Sequence, residues 1–271
     1  MKIRIDLTKN LNENASDYFQ KGKQAKNKAA RILDALKITE KKLKDIQSKQ
    51  EQKKAEETLI QKRKTEWFEK FRWFYSSSNI LVIAGRDAHQ NEQLVKKHMD
   101  LNDSYFHAEF QGAPHCVVKL EGKKIDVETK NEAAQFAGMF SKAWQEGFAS
   151  VDVYSVKPEQ VSKKAPSGES LGTGAFMIYG EREWFKHQTM ECWLGIEKME
   201  NSYRIISGSK NSVQTHALVC LKLVQGSDKP GNAAKQIKKW LDYKVQENKI
   251  GLDEIIRMMP SENIRLVLPK A

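Results

Sequence analysis

Residues 81–95 read LVIAGRDAHQNEQLV. Four apolar residues run into a glycine, and polar side chains then crowd positions 86, 87 and 89–92. The apolar run has strand length and ends in a turn residue. Asp87 stands where a helix needs an N-cap, because a carboxylate there accepts from otherwise orphaned amides of the first turn. A buried strand feeding a polar helix start predicts mixed α and β structure. Capping accounts for Asp87 but not for Gln90, Asn91 and Glu92, which can read base edges or sugars. Arg86 can meet a phosphate or a buried acid. Two readings stay open: a site for RNA, or a satisfied polar network that fixes the structure.

Outward from this stretch, strand and helix patterns mix without a regular βα repeat. Strands are predicted at 79–85, 104–110, 115–122, 150–156, 175–180, 191–197, 203–207, 216–224 and 263–268. SYFHAEF and HCVVKLEG read as a hairpin around Gln111–Pro114. Residues 129–147 predict one amphipathic helix with Ala133, Ala134, Phe136, Ala137, Phe140 and Trp144 facing inward. Further helices are predicted near 230–246 and 251–258. The expected class is α+β with a mixed or antiparallel sheet and packed helices.

Toward the N-terminus, KIRIDL (2–7) alternates like a short strand, and Asn12 or Asn14 offers a cap. From Tyr18 a 4-3 spacing runs through Gly22, Ala25, Ala29, Ile32, Leu36, Thr39, Leu43 and Ile46, then turns polar at Gln50, Lys53 and Glu57 before Ile60. No proline interrupts residues 1–113, so one long helical, coiled-coil arm is expected. The aromatic stretch EWFEKFRWFY (66–75) ends it.

The 271 residues carry a net charge of +11, which suggests a polyanionic partner. Residues 16–65 hold 15 Lys and Arg against 7 Asp and Glu, an excess of eight, leaving an excess of three for the rest. The three cysteines, Cys116, Cys192 and Cys220, form no CxxC pair, which excludes a zinc knuckle and a disulfide framework. No histidine pair has i,i+4 metal spacing, and no hydrolase, metalloprotease or P-loop motif occurs. His115 and Cys116 are adjacent on a strand and would face opposite ways, against a local dyad. No enzyme activity, metal or cofactor is expected. Nothing approaches the roughly 20 apolar residues of a membrane span, and MKIRIDLTKN has no signal-peptide core. A soluble cytoplasmic protein is expected. The loop SKKAPSGESLGTG (162–174) combines cations, hydroxyls and glycines, and reads equally as a phosphate-binding loop or a solvated turn.

Taken together, WFEKFRWFYSS (67–77), LVIAGRDAHQNEQLVKKHM (81–99), FHAEFQGAPHCVVK (106–119), QVSKKAPSGESLGTGAFMIYG (160–180) and NENASDYFQKGKQAKNKA (12–29) resemble the C-terminal half of the NFACT family, which includes NEMF, RqcH and fibronectin-binding-protein-like members. The GAP at 112–114 and the 132–144 helix look like the archaeal and eukaryotic branch. The resemblance implies an RNA-binding module of a ribosome-associated quality-control factor, with tRNA or rRNA and the large ribosomal subunit as partners at stalled ribosomes. It divides the chain into an arm (1–65), an RNA-binding domain (66–190) and an extension (191–271). The family's amino-terminal domains have no counterpart here, so other domains of a longer parent are possible partners.

The expected RNA contacts are Arg72, Arg86, Asp87, Gln90 and Asn91, then His107, Gln111, His115 and Lys119 of the hairpin. Lys163, Lys164, Ser167 and Gly168 of the loop, and Arg182, complete the set. Two departures from the family pattern stand out. Gln111 replaces a second histidine or an aliphatic residue, and YGERE (179–183) replaces a basic run, leaving Arg182 as its one cation. Two other functions compete with RNA binding: a scaffold docking on ribosomal proteins, and an RNA-modifying enzyme using Asp87 or His107 as acid or base.

Overall fold

The computed structural model describes residues 3–59, 65–165, 170–246 and 249–268, with the backbone alone for 49–59. The chain divides into two compact units, Met1–Lys62 and Arg63–Ala271.

In the first unit, α1 runs Leu11–Leu59. Its cap is Asn10, ahead of the expected Asn12 or Asn14. The Asn10 side chain accepts from the Glu13 amide at 2.9 Å, and the Glu13 carboxylate accepts from the Asn10 amide at 2.9 Å. Asn14 does something else. It is buried, accepts from the Asp6 amide at 2.9 Å and donates to the Asp6 carbonyl at 3.0 Å. Tyr18 donates to the Arg4 carbonyl at 2.6 Å. These side chains take the backbone groups that a strand would need, so the described part of 2–7 is strapped to the helix and forms no strand. The apolar seam residues Tyr18, Ile32, Leu36, Leu43 and Ile46 are all exposed. The distal seam, Gln50 to Ile60, lies outside the described side chains.

The second unit opens with a 3-10 turn at Trp67–Lys70. Then come β1 (Arg72–Tyr75), β2 (Leu81–Ala84), α2 (Ala88–Lys97), β3 (Ser104–Ala108), β4 (Cys116–Lys119), α3 (Val127–Met139), α4 (Lys142–Gln145) and β5 (Ser150–Val156). A two-stranded ribbon follows, β6 (Val161–Ser162) with β7 (Met177–Ile178), and then β8 (Glu183–Thr189). The remainder is β9 (Glu191–Lys198), β10 (Tyr203–Gly208), α5 (Lys210–His216), β11 (Val219–Asp228), α6 (Pro230–Lys244), α7 (Leu252–Met258) and β12 (Ile264–Val267).

The main sheet has the order β1-β2-β4-β3-β5-β8, and every pairing in it is antiparallel. This is the expected α+β class, with the expected β3–β4 hairpin. A second antiparallel sheet has the order β10-β9-β11-β12. A single residue, Met190, separates β8 from β9, so the chain passes directly from one sheet to the other. Residues of both sheets share one buried core.

Helix α3 covers one face of the main sheet, with Phe136 against Phe74 at 4.6 Å between ring centroids. The single helix expected over 129–147 is two. Ser141 is extended, and both its amide (3.0 Å) and its hydroxyl (2.7 Å) donate to the Gly138 carbonyl. That side chain competes with the helical pattern and breaks it after Phe140. Phe140 is only partly buried, with the Arg72 guanidinium 4.1 Å above its ring. Among the strands and α-helices, β1 inside the aromatic stretch, the two-residue β6, β8 and the short α5 lack a sequence signal.

Candidate nucleic-acid interface

Asp87 is extended (φ −150°) and accepts from the Gln90 amide at 2.8 Å, so it caps α2 as expected. The residues after it serve three different neighbours. Gln90 accepts from the Arg86 amide at 3.1 Å and donates to the Lys70 carbonyl at 3.2 Å. Asn91 accepts from the His115 amide at 3.1 Å, while the Gly85 amide donates to the His115 carbonyl at 3.1 Å. A Cβ on Gly85 would collide with Asn91, so glycine is required there. Glu92 accepts from the Gly174 amide at 2.9 Å, from Lys163 at 3.1 Å and from Lys96 at 2.6 Å. These three donors hold its carboxyl down to about 2, with Lys96 contributing most. Gly174 has φ +75°, and a Cβ there would lie 2.6 Å from the Ala88 carbonyl. The loop before β7 is thereby seated on the start of α2.

Arg86 has no carboxylate partner among the described residues. Its guanidinium donates to three carbonyls: Lys70 (3.2 Å), Phe71 (2.8 Å) and Arg257 (2.6 Å). Arg257 returns a bond to the Glu69 carbonyl at 3.4 Å, and Arg72 donates to the Met259 carbonyl at 3.3 Å. Burial, then the nearby Arg72 and Arg257 charges, push Arg86 down to about 9; burial pushes Arg72 to about 10. Both stay cationic at neutral pH. This cluster ties the end of α7 to the start of β1. Nothing in the sequence pairs Arg86 with a residue 171 positions away.

On the sheet face opposite α3, a row of rings crosses four neighbouring strands. His115, just before β4, stacks on His107 of β3 at 4.9 Å. His107 meets Tyr154 of β5 at 6.0 Å, and Tyr154 meets Trp184 of β8 at 5.5 Å. Strand register places them so: His107 lies opposite Tyr154, and Tyr154 opposite Trp184. His107 Nδ1 donates to the Pro114 carbonyl at 3.1 Å. His115 Nε2 donates to the Gly174 carbonyl at 2.8 Å, and its Nδ1 accepts from the Tyr105 hydroxyl. Each imidazole is thus held as one neutral tautomer.

Burial, helped by the facing His107, pushes His115 down to about 3. The folded value lies below the unfolded value, so protons bind the unfolded chain preferentially as pH falls. This contribution to stability is complete above about pH 6.5 and is lost toward about pH 3, by up to about 1.4 kcal/mol per pH unit. Urea midpoints across that range are expected to fall less steeply for His115→Gln than for the parent. Parallel curves would show that His115 does not control the acid limb.

The remaining expected contacts divide. Lys119 is buried, and its ammonium donates to the His98 carbonyl (2.8 Å), Asp100 (2.6 Å) and Asp103 (2.5 Å). An inward cation with all three donors spent is a fold element, whereas the sequence reading counted Lys119 among the RNA contacts. Lys163 is likewise occupied, by Glu92 and by the Gly172 and Ala175 carbonyls at 2.8 and 3.1 Å. Lys164 and Gln111 are exposed. Arg182 lies 4.4 Å above the Tyr154 ring and pairs with Glu109 at 3.1 Å. Ser167 and Gly168 lie outside the described residues. Tyr154, Trp184, Lys186 and Arg257 were not singled out by sequence. Cys116 is buried on the α3 face, where burial pushes its thiol upward, and it shares no bond with His115 among the described contacts.

Residues 70–180, which span this whole network except Arg182, Trp184 and the α7 contacts, match the family model described as NFACT protein RNA binding domain. The chain carries an NFACT RNA-binding domain. The archaeal Rqc2 homolog aRqcH of Methanocaldococcus jannaschii is 36% identical over 76% of this chain and 30% of its own length. The NEMF homolog of Drosophila melanogaster, a ribosome quality control complex subunit, is 39% identical over 74% of this chain and 20% of its own. Human NEMF is 41% identical over 63% and 16%. The chain therefore spans less than a third of each of these relatives. Within the NFACT domain, α2 is the hub: its first turn reaches the 3-10 turn, β4 and the loop before β7. The extension after residue 180 is stitched to the domain as well. The Trp144 indole donates to the Glu262 carbonyl at 2.9 Å, and Gln225 donates to the Phe148 carbonyl at 2.9 Å. Among the described residues no helix is long and apolar enough to cross a membrane, and no group of three His, Cys, Asp or Glu is placed to hold a metal.

Proposed function

We propose that this chain is the RNA-binding module of a cytoplasmic ribosome-associated quality-control factor, contacting tRNA or large-subunit rRNA at stalled ribosomes and carrying no catalysis of its own. The observation that carries this reading is the match of residues 70–180 to the NFACT RNA-binding domain, together with the ribosome quality control names of its relatives. The arm adds the long-range attraction. Its described lysines, among them Lys23, Lys26, Lys37, Lys41 and Lys44, are exposed and free to follow a phosphate backbone. In the second unit, Lys164, Gln111 and Arg182 remain for RNA, while Arg86, Asp87, Gln90, Asn91, Lys119 and Lys163 hold the surface in shape.

A titration with tRNA over a series of salt concentrations tests this. Log affinity is expected to fall linearly with log salt, through counterion release. Changing the five arm lysines named above to Gln should make that slope less negative by about 2 or more. An unchanged slope would remove the arm from the interface. One observation favours a second reading, a scaffold that docks protein through the arm: the apolar residues Ile32, Leu36, Leu43 and Ile46 are exposed along one seam. Under that reading, affinity for the ribosome depends on those four residues and little on salt.

A further inference from the structure

The row of rings does not stop inside the domain. His115 and Tyr154 are buried, but Trp184 at the sheet edge is 40% exposed. Two cations sit on this open end. The Lys186 ammonium lies 4.2 Å from the Trp184 ring centre, and the Arg182 guanidinium lies 5.8 Å from it while also covering Tyr154. The strand that carries Trp184, β8, is the last of its sheet. Its edge is a poor template for a peptide strand. His187 has φ +56°, the register with β5 shifts between Val151 and Val153, and Asp152 clamps both the His187 amide and Lys186 at 2.9 Å. A bulged edge bearing a lysine resists strand addition. An indole with a cation on its face and a second cation beside it suits a planar base with a phosphate on either side.

We propose that Trp184 is a stacking platform for one unpaired nucleobase of the bound RNA, with Lys186 displaced from the ring to one flanking phosphate and Arg182 facing the other. This rests on the RNA-binding reading above and assigns part of that surface to single-stranded rather than duplex RNA. The rigid row beneath holds the indole in place, so that only the Lys186 side chain, paired with Asp152 at 2.9 Å, has to move aside. Tyr154 meets the indole edge-on, and Tyr154 is itself braced by His107, whose Nδ1 is fixed on Pro114. A base is read from one face only, because the other side of β8 packs Phe185 on Phe106 at 5.6 Å.

The test uses the full chain, a mixed-sequence 12-nucleotide single-stranded RNA, and a blunt duplex of the same length. Trp184→Ala should weaken single-strand binding about tenfold, the scale of one stacked base. Trp184→Phe should retain most of the affinity, since every aromatic face can stack. Duplex binding should be unaltered by either change. The salt slope should also be unaltered, because stacking removes no phosphate contact. Trp184 is surface-exposed, and melting curves on both variants confirm that the fold is kept. Equal losses on single strand and duplex, or full single-strand affinity in Trp184→Ala, would overturn the platform while leaving RNA binding standing. A parent chain that binds neither RNA would overturn both.

Discussion

Asp103→Ala is expected to destabilise the second unit by about 3–5 kcal/mol. Asp103 is 2% exposed and the Lys119 side chain 8%. Removing the carboxylate leaves a buried ammonium with one strong partner fewer. It also orphans the Asp100 and Leu120 amides, which Asp103 accepts at 2.8 and 3.0 Å. Asp100 cannot compensate, since its side chain is 81% exposed and pairs largely in water. For a unit of this size the melting temperature should fall by roughly 10 °C. RNA affinity measured well below that temperature should be unchanged. Lys119→Met in the Asp103→Leu background should recover much of the loss, because the penalty comes from the unmatched charge. A double variant no more stable than Asp103→Ala would argue that the pair itself supplies the stability.

Arg86→Ala should destabilise by about 2–4 kcal/mol, as three carbonyls lose a charged donor. Asp87→Ala removes one cap bond and should cost about 0.5–2 kcal/mol. The loss should be larger at Arg86 than at Asp87 because its three bonds tie the end of α7 to the 3-10 turn and the start of β1. Arg86→Lys should not rescue, because a point charge on a flexible stem cannot bond Lys70, Phe71 and Arg257 together. Chemical denaturation of the three variants decides it. An Arg86→Ala protein with parental stability and weakened RNA binding would return this arginine to the ligand.

The strand–glycine–helix reading of 81–95 was legible because each signal is local: an apolar run, a turn glycine and a cap. The same holds for the β3–β4 hairpin and for α6 and α7. What the polar cluster does was not legible, because its partners lie far along the chain. Arg86 bonds residue 257, Glu92 bonds residue 174, and Asn91 bonds residue 115. Periodicity misled at KIRIDL, where Asn14 and Tyr18 capture the backbone, and at 129–147, where Ser141 ends a helix whose apolar spacing continues. It was silent at β8, an edge strand with a left-handed residue, so Trp184 escaped notice. The row from His115 to Trp184 exists only through strand register, which no single segment encodes.

The most direct test of the central claim is crosslinking of the tagged chain to RNA in living cells, followed by sequencing of the bound fragments. The account predicts enrichment of tRNA and large-subunit rRNA, increased when ribosomes are made to stall. Crosslinks no more abundant than those of an unrelated protein of equal charge, or confined to messenger RNA, would contradict it.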